Sequence, residues 1–208
     1  MVSRFKTVFM IQANGTFGSS FSSKVIWECI RVLSPVESWH KAIWFKEYIP
    51  RNSFISWLAL SRRLPTRDRL RSWGLKVPEQ CVLYSAAVET YHHLFFECQF
   101  SASIWTFFAE TVWPNPPQDI HSAAAWICMA RNSSSPQARC IIKLMFQSAV
   151  YLIWKERNKR IFTSVSSSAN SIRCAVDRQI RDRLLSIPAS PRIQLSMLQF
   201  FFACTRPP

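Results

Sequence analysis

Glycine is almost missing from this chain, with three in 208 residues. Tight hairpins draw on glycine for positive φ, so the scarcity argues against a sandwich or barrel of many short strands. Acid is scarce as well: 12 Asp and Glu stand against 26 Lys and Arg. The four aspartates, Asp68, Asp119, Asp177 and Asp182, are dispersed, and no Gly-rich phosphate loop is present. Two-metal phosphoryl transfer and nucleotide hydrolysis therefore have no recognisable site. His40 and His121 have no serine or cysteine partner at a catalytic spacing. The sequence is read as that of a non-enzyme. Long apolar runs are missing too. Residues 144–154 are broken by Gln147 and Ser148 and amount to about half a membrane span, and the run 8–11 is too short for a signal-peptide core. An intracellular location, nuclear or cytoplasmic, is expected, with no membrane partner.

What is present is aromatic, apolar and basic. Hydrophobic residues make up 49%, with nine tryptophans and sixteen phenylalanines, enough to exclude a disordered chain. Helical periodicity recurs over 22–33, 37–45, 52–60, 66–73, 104–112, 120–129, 138–162 and 171–185. The expected fold class is mainly α: a small helical domain around a degenerate zinc motif, then a long helix and a C-terminal helix. The expected boundaries are an unstructured segment 1–21, a domain 22–113, a helical extension 114–185 and a Pro-containing tail 186–208. Thr66 is placed as an N-cap, Gly74 as a helix terminator and 164–171 as a flexible serine-rich link. Seven cysteines without a regular framework read as reduced thiols.

The net charge of +14 and pI near 10.1 suit either a polyanion partner, RNA or DNA, or merely a solvated basic surface. The densest run holds Arg62, Arg63, Arg67, Arg69, Arg71 and Lys76, with Asp68 the one acid among them. It is a candidate phosphate-contacting patch, and equally a solvated helix face. Exposed aromatics near Trp73 would add stacking surface for unpaired bases.

One spacing carries metal chemistry. Cys81-Val-Leu-Tyr84 is followed eight residues later by His93-Leu-Phe-Phe-Glu-Cys98. A Cys-x2-Cys pair with His-x4-Cys would close a tetrahedral site around Zn²⁺. Cys81, His93 and Cys98 are in place, and Tyr84 stands where a fourth ligand belongs. Three candidates could complete the shell: His92, Cys128 if the fold brought it close, or water. The expectation is zinc held weakly or lost, with the two cysteines otherwise serving as small buried hydrophobes.

These residues resemble one family. Trp44-Phe45, Ile49-Pro50, Phe54-Ile-Ser-Trp57-Leu-Ala-Leu60, Arg63-Leu-Pro65-Thr66-Arg67-Asp68-Arg69-Leu70, Trp73-Gly74-Leu75, Cys81-Val-Leu and His93-Leu-Phe-Phe-Glu-Cys98 are similar to the zinc-binding domain of plant reverse transcriptases. That domain follows the polymerase in LINE-type (non-LTR) retrotransposon polyproteins. Val150-Tyr151-Leu-Ile153-Trp154-Lys-Glu156-Arg157-Asn158-Lys-Arg160-Ile161-Phe162 resembles the segment after it. The likeness spans about 22–185. It implies zinc ligation by Cys81, His93 and Cys98, help in holding nucleic acid during reverse transcription, and descent from a polyprotein whose polymerase is absent here. The competing expectation is a metal-free helical remnant whose aromatics serve a protein partner or self-association.

Overall fold

The computed structural model describes residues 27, 35–129, 135–187 and 196–205. The chain divides into two compact units, Met1–Glu37 and Ser38–Pro208, and the second carries the architecture below. The segment 1–21, the helix expected over 22–33 (Trp27 apart, which is helical), the turn at 131–134 and the prolines at 188, 191, 207 and 208 lie outside the described residues.

The second unit is helical. Its elements are α1 (His40–Ile43), α2 (Pro50–Leu60), α3 (Arg67–Ser72), a π-type turn (His93–Glu97), α4 (Gln99–Ala109), α5 (Ile120–Met129), α6 (Pro136–Thr163), α7 (Ala169–Leu185) and α8 (Met197–Thr205). Among the described residues the only β pairing is a single antiparallel bridge, Gln80 with Val88.

The long helix α6 organises the rest. Ser135 caps it by accepting from the Ala138 N–H, and Pro136 fills the first helical position, where its missing N–H costs nothing. Ile141, Ile142, Leu144, Met145, Phe146, Val150 and Ile153 are fully buried, so the middle of α6 is covered on nearly every side. It touches α1, α2, α4, α5, α7 and α8. An aromatic stack ties it to the metal-motif region. Phe96 lies flat on Trp105 (5.0 Å, 11°), Phe146 meets both rings edge-on, and Trp105 Nε1 donates to the Pro117 carbonyl at 2.8 Å. Such pairs add about 0.5–1.5 kcal/mol each beyond area burial.

Three expectations change. The helix expected over 37–45 shrinks to α1, because Trp44 turns extended (ψ 98) straight after Ile43. The link after α6 is held rather than loose: Glu156 accepts from the Ser167 N–H at 2.6 Å, and Arg160 donates to the Ser167 carbonyl at 2.9 Å. Ser168 then caps α7. Within the expected tail 186–208, Met197–Thr205 forms α8, whose Phe201 is fully buried and which touches α6 and α7. Among the described residues no helix is long and apolar enough to cross a membrane.

Candidate metal centre and basic surface

The loop carrying Cys81 is closed at its base. The Cys81 N–H donates to the Ala87 carbonyl, and the Glu89 N–H to the Glu79 carbonyl, each at 2.8 Å. The second half of the motif is a sharp bend. Phe95 leaves helical geometry (ψ 94), Phe96 is left-handed (φ 79), and the Cys98 N–H returns to the His93 carbonyl at 2.7 Å. A bulky residue in the left-handed region is costly. Here the bend is fixed by the Phe96 N–H donating to Ser101 Oγ at 3.1 Å and by the ring's place on Trp105.

The bend brings the three motif residues together. One ligand atom each from Cys81, His93 and Cys98 falls within 4.8 Å of the others, and the two sulfurs are 4.0 Å apart. A tetrahedral zinc with Zn–S bonds of about 2.3 Å separates two thiolates by about 3.8 Å. Both cysteines are buried. The Cys81 thiol donates to Cys98, and this shared proton raises the pKa of Cys81 while lowering that of Cys98 to about 6. Each sulfur also receives backbone N–H groups from the two positions two and three residues onward: Leu83 and Tyr84 for Cys81, Phe100 and Ser101 for Cys98. N–H groups aimed at sulfur favour the thiolate, the form that ligates metal. His93 adds a buried Nε2 with no hydrogen-bond partner, a costly atom unless something binds it. The donor set fits a zinc ion.

The candidate fourth ligands do not join this group. Tyr84 is 46% exposed. His92 is exposed and packs edge-on against Tyr91. Cys128 lies on α5, beside Lys41, Arg139 and Lys143. Among the described residues, no carboxylate, histidine or further cysteine completes the set.

The basic run is partly structural. Arg67 lies 4.0 Å from the Glu89 carboxylate and also donates to the Gln80 carbonyl. Arg71 pairs with Glu79 and donates to the Val77 carbonyl at 3.2 Å. Arg69 donates to the Arg62 carbonyl and covers the Trp73 ring at 5.1 Å. Arg62 lies over Tyr91 at 5.7 Å and Arg63 over Trp57 at 5.2 Å. Arg62, Arg63, Arg71 and Lys76 are exposed. Two outward aromatics accompany them, Phe54 (52% exposed), whose ring meets Trp57 at 5.9 Å, and Trp73 (56% exposed).

Sequence reasoning missed Glu89. Thr66 occupies the N-cap position of α3, yet its side chain makes no capping bond and its hydroxyl is buried without a partner. The Arg67 N–H donates instead to the Glu89 carboxylate at 3.0 Å. Glu89 also takes two bonds from Arg157, at 2.8 and 3.1 Å. No local spacing signals a cap supplied from 22 positions away.

Fold and site together define a small helical module with a Cys₂His ligand set and an arginine-rich face. Residues 21–105 match the family described as zinc-binding in reverse transcriptase. The match takes in all three ligand positions, Tyr84 and the whole basic run, and it ends inside α4. No curated protein and no solved structure gives a significant match.

Proposed function

We propose that this chain is a non-catalytic, single-stranded nucleic-acid-binding module, derived from the region that follows the polymerase in a LINE-type reverse transcriptase. The observation carrying this reading is the alternation of arginine and aromatic side chains along 54–76: Phe54 against Trp57, Arg63 over Trp57, Arg69 over Trp73, with Arg62 tied to Arg69 through its carbonyl. Exposed rings accept unpaired bases at about 1–3 kcal/mol each, and the cations follow the phosphates. Cys81, His93 and Cys98 would hold zinc, with a solvent molecule in the fourth place. When bound, the ion would supply rigidity by linking Cys81 of the 81–89 loop to His93 and Cys98 of the bend. No catalytic residue is assigned.

Fluorescence anisotropy of a labelled single-stranded oligonucleotide, RNA and DNA in parallel, tests the reading. Affinity should fall steeply with salt, with a log–log slope of about −2 to −3 for three or four neutralised phosphates at about 0.7 per contact. Changing Trp73→Ala should weaken binding about tenfold or more. Binding that is absent, or indifferent to salt, overturns the proposal.

A further inference from the structure

Helix α2 meets the long helix through a cation–aromatic contact that lies outside the 54–76 surface. Arg51, in the first turn of α2, holds its guanidinium over the Tyr151 ring of α6 at 5.5 Å. Lys155 stands one turn beyond Tyr151 on the same side of α6, and Lys159 one turn further. Arg51 and Lys155 are exposed, and among the described residues no carboxylate pairs with either. Glu156, the acid next to Lys155, is buried and turned to Arg160 and the Ser167 N–H. Both cations oppose the helices that carry them. The first turn of α2 contains no acid, so Arg51 sits at the positive end of the helix dipole. Lys155 repels Lys159 at the i,i+4 spacing, and Lys159 is drawn aside to Ser167 Oγ at 2.9 Å. Three residues after Arg51 on α2 comes the exposed Phe54, whose ring meets Trp57 at 5.9 Å, with Arg63 over Trp57 at 5.2 Å. Cation and ring therefore alternate from Lys155 and Tyr151 through Arg51 to Phe54, Trp57 and Arg63. A phosphate-bearing strand is the partner that both relieves the charge and uses the rings.

We infer that Arg51, Tyr151 and Lys155 carry the nucleic-acid surface onto the long helix, so that a single strand crosses from α2 to α6 with Arg51 and Lys155 each on a backbone phosphate. This rests on the reading proposed above and gives it a second limb. Tyr151 holds Arg51 in place from beneath, and Lys155 extends the track along α6.

The test uses the full chain and a labelled oligouridylate of about 15 nucleotides, near the upper end of single-strand site sizes, with anisotropy followed against salt. Arg51→Gln/Lys155→Gln should weaken binding about tenfold and take about 1.4 from the magnitude of the salt slope, at about 0.7 per phosphate contact. Arg51→Lys/Lys155→Arg keeps both charges and should bind as wild type does. Lys41→Gln, which removes an exposed cation on α1, should also leave affinity and slope unchanged. Should circular dichroism show the first variant misfolded, Lys155→Gln alone should still take about 0.7 from the slope. A wild-type chain that does not bind the strand overturns both this inference and the reading beneath it. A wild-type chain that binds, with Arg51→Gln/Lys155→Gln equal to it in affinity and slope, overturns this inference and leaves that reading standing. So does an equal loss in Lys41→Gln, which would reduce the effect to net charge.

Discussion

At the scale of single residues, position 84 is where the candidate metal centre departs from a four-ligand set. Cys81, His93 and Cys98 are gathered on one side, while Tyr84 faces solvent. Its backbone nevertheless keeps the ligand-holding geometry, because its N–H reaches the Cys81 sulfur. A cysteine there would begin from a turn already shaped for zinc. Tyr84→Cys should therefore tighten zinc about a hundredfold or more, since even outer-shell changes move metal affinity by about 10–100-fold. Competition against a chromophoric chelator measures this. Equal affinities in the two proteins would mean that another group already fills the fourth place. The grouping of Cys81, His93 and Cys98 was legible in the sequence because their spacing is local. The left-handed Phe96 was not, as it arises from packing against Trp105 on α4 and Phe146 on α6.

At the scale of elements, the informative piece is the connection between α6 and α7. Four serines suggested flexibility, but composition does not report partners seven and eleven positions back on the preceding helix. Glu156 accepts from the Ser167 N–H and from Arg160 Nε at 2.8 Å, and Arg160 extends on to the Val82 and Leu83 carbonyls. Burial raises the carboxyl pKa of Glu156, but the bonds from Ser167 and Arg160 outweigh it and hold the group below its ordinary 4.5. A depressed carboxyl stabilises the fold fully above its unfolded value and loses that contribution as pH falls through its folded value. Amide exchange at Ser167 should thus stay slow down to about pH 4.5 and accelerate below it. Glu156→Gln should exchange fast at every pH. A flat profile in the unaltered protein would refute the anchoring. The apolar stretch 120–129 was legible as a helix, and Asp119 accepts from the His121 and Ser122 N–H groups at the start of α5. The cap on α3 was not, because it comes from Glu89.

At the scale of the molecule, one buried ion pair joins the metal-motif segment to the long helix. Arg157 is 3% exposed and Glu89 is fully buried. Arg157 also donates to the Pro65 carbonyl at 3.2 Å and lies over Trp154 at 4.8 Å. Removing one partner leaves the other as an uncompensated buried charge, at about 3–5 kcal/mol. Glu89→Gln should lower unfolding free energy by that amount in urea titration with an unchanged slope. A loss below about 1 kcal/mol would show the pair to be dispensable. This join also explains why the mainly helical class could be read from glycine scarcity and periodicity while the arrangement could not. Trp39, Leu60, Phe96, Phe146, Ile180 and Phe201 belong to one core cluster, and their meeting depends on contacts more than a hundred positions apart.

Phe96 has a consequence for how this fold tolerates change. The backbone at 96 asks for glycine, or at most asparagine, because φ is 79. The cavity between Trp105 and Phe146 asks for a large flat ring. Few amino acids answer both requests, and the two that ease the bend would empty the stack or bury an amide. Position 96 is therefore a point of low substitution tolerance that touches no ligand at all: a library randomised there would return almost nothing but aromatics, and the metal cluster would be inherited as a by-product of how one ring packs.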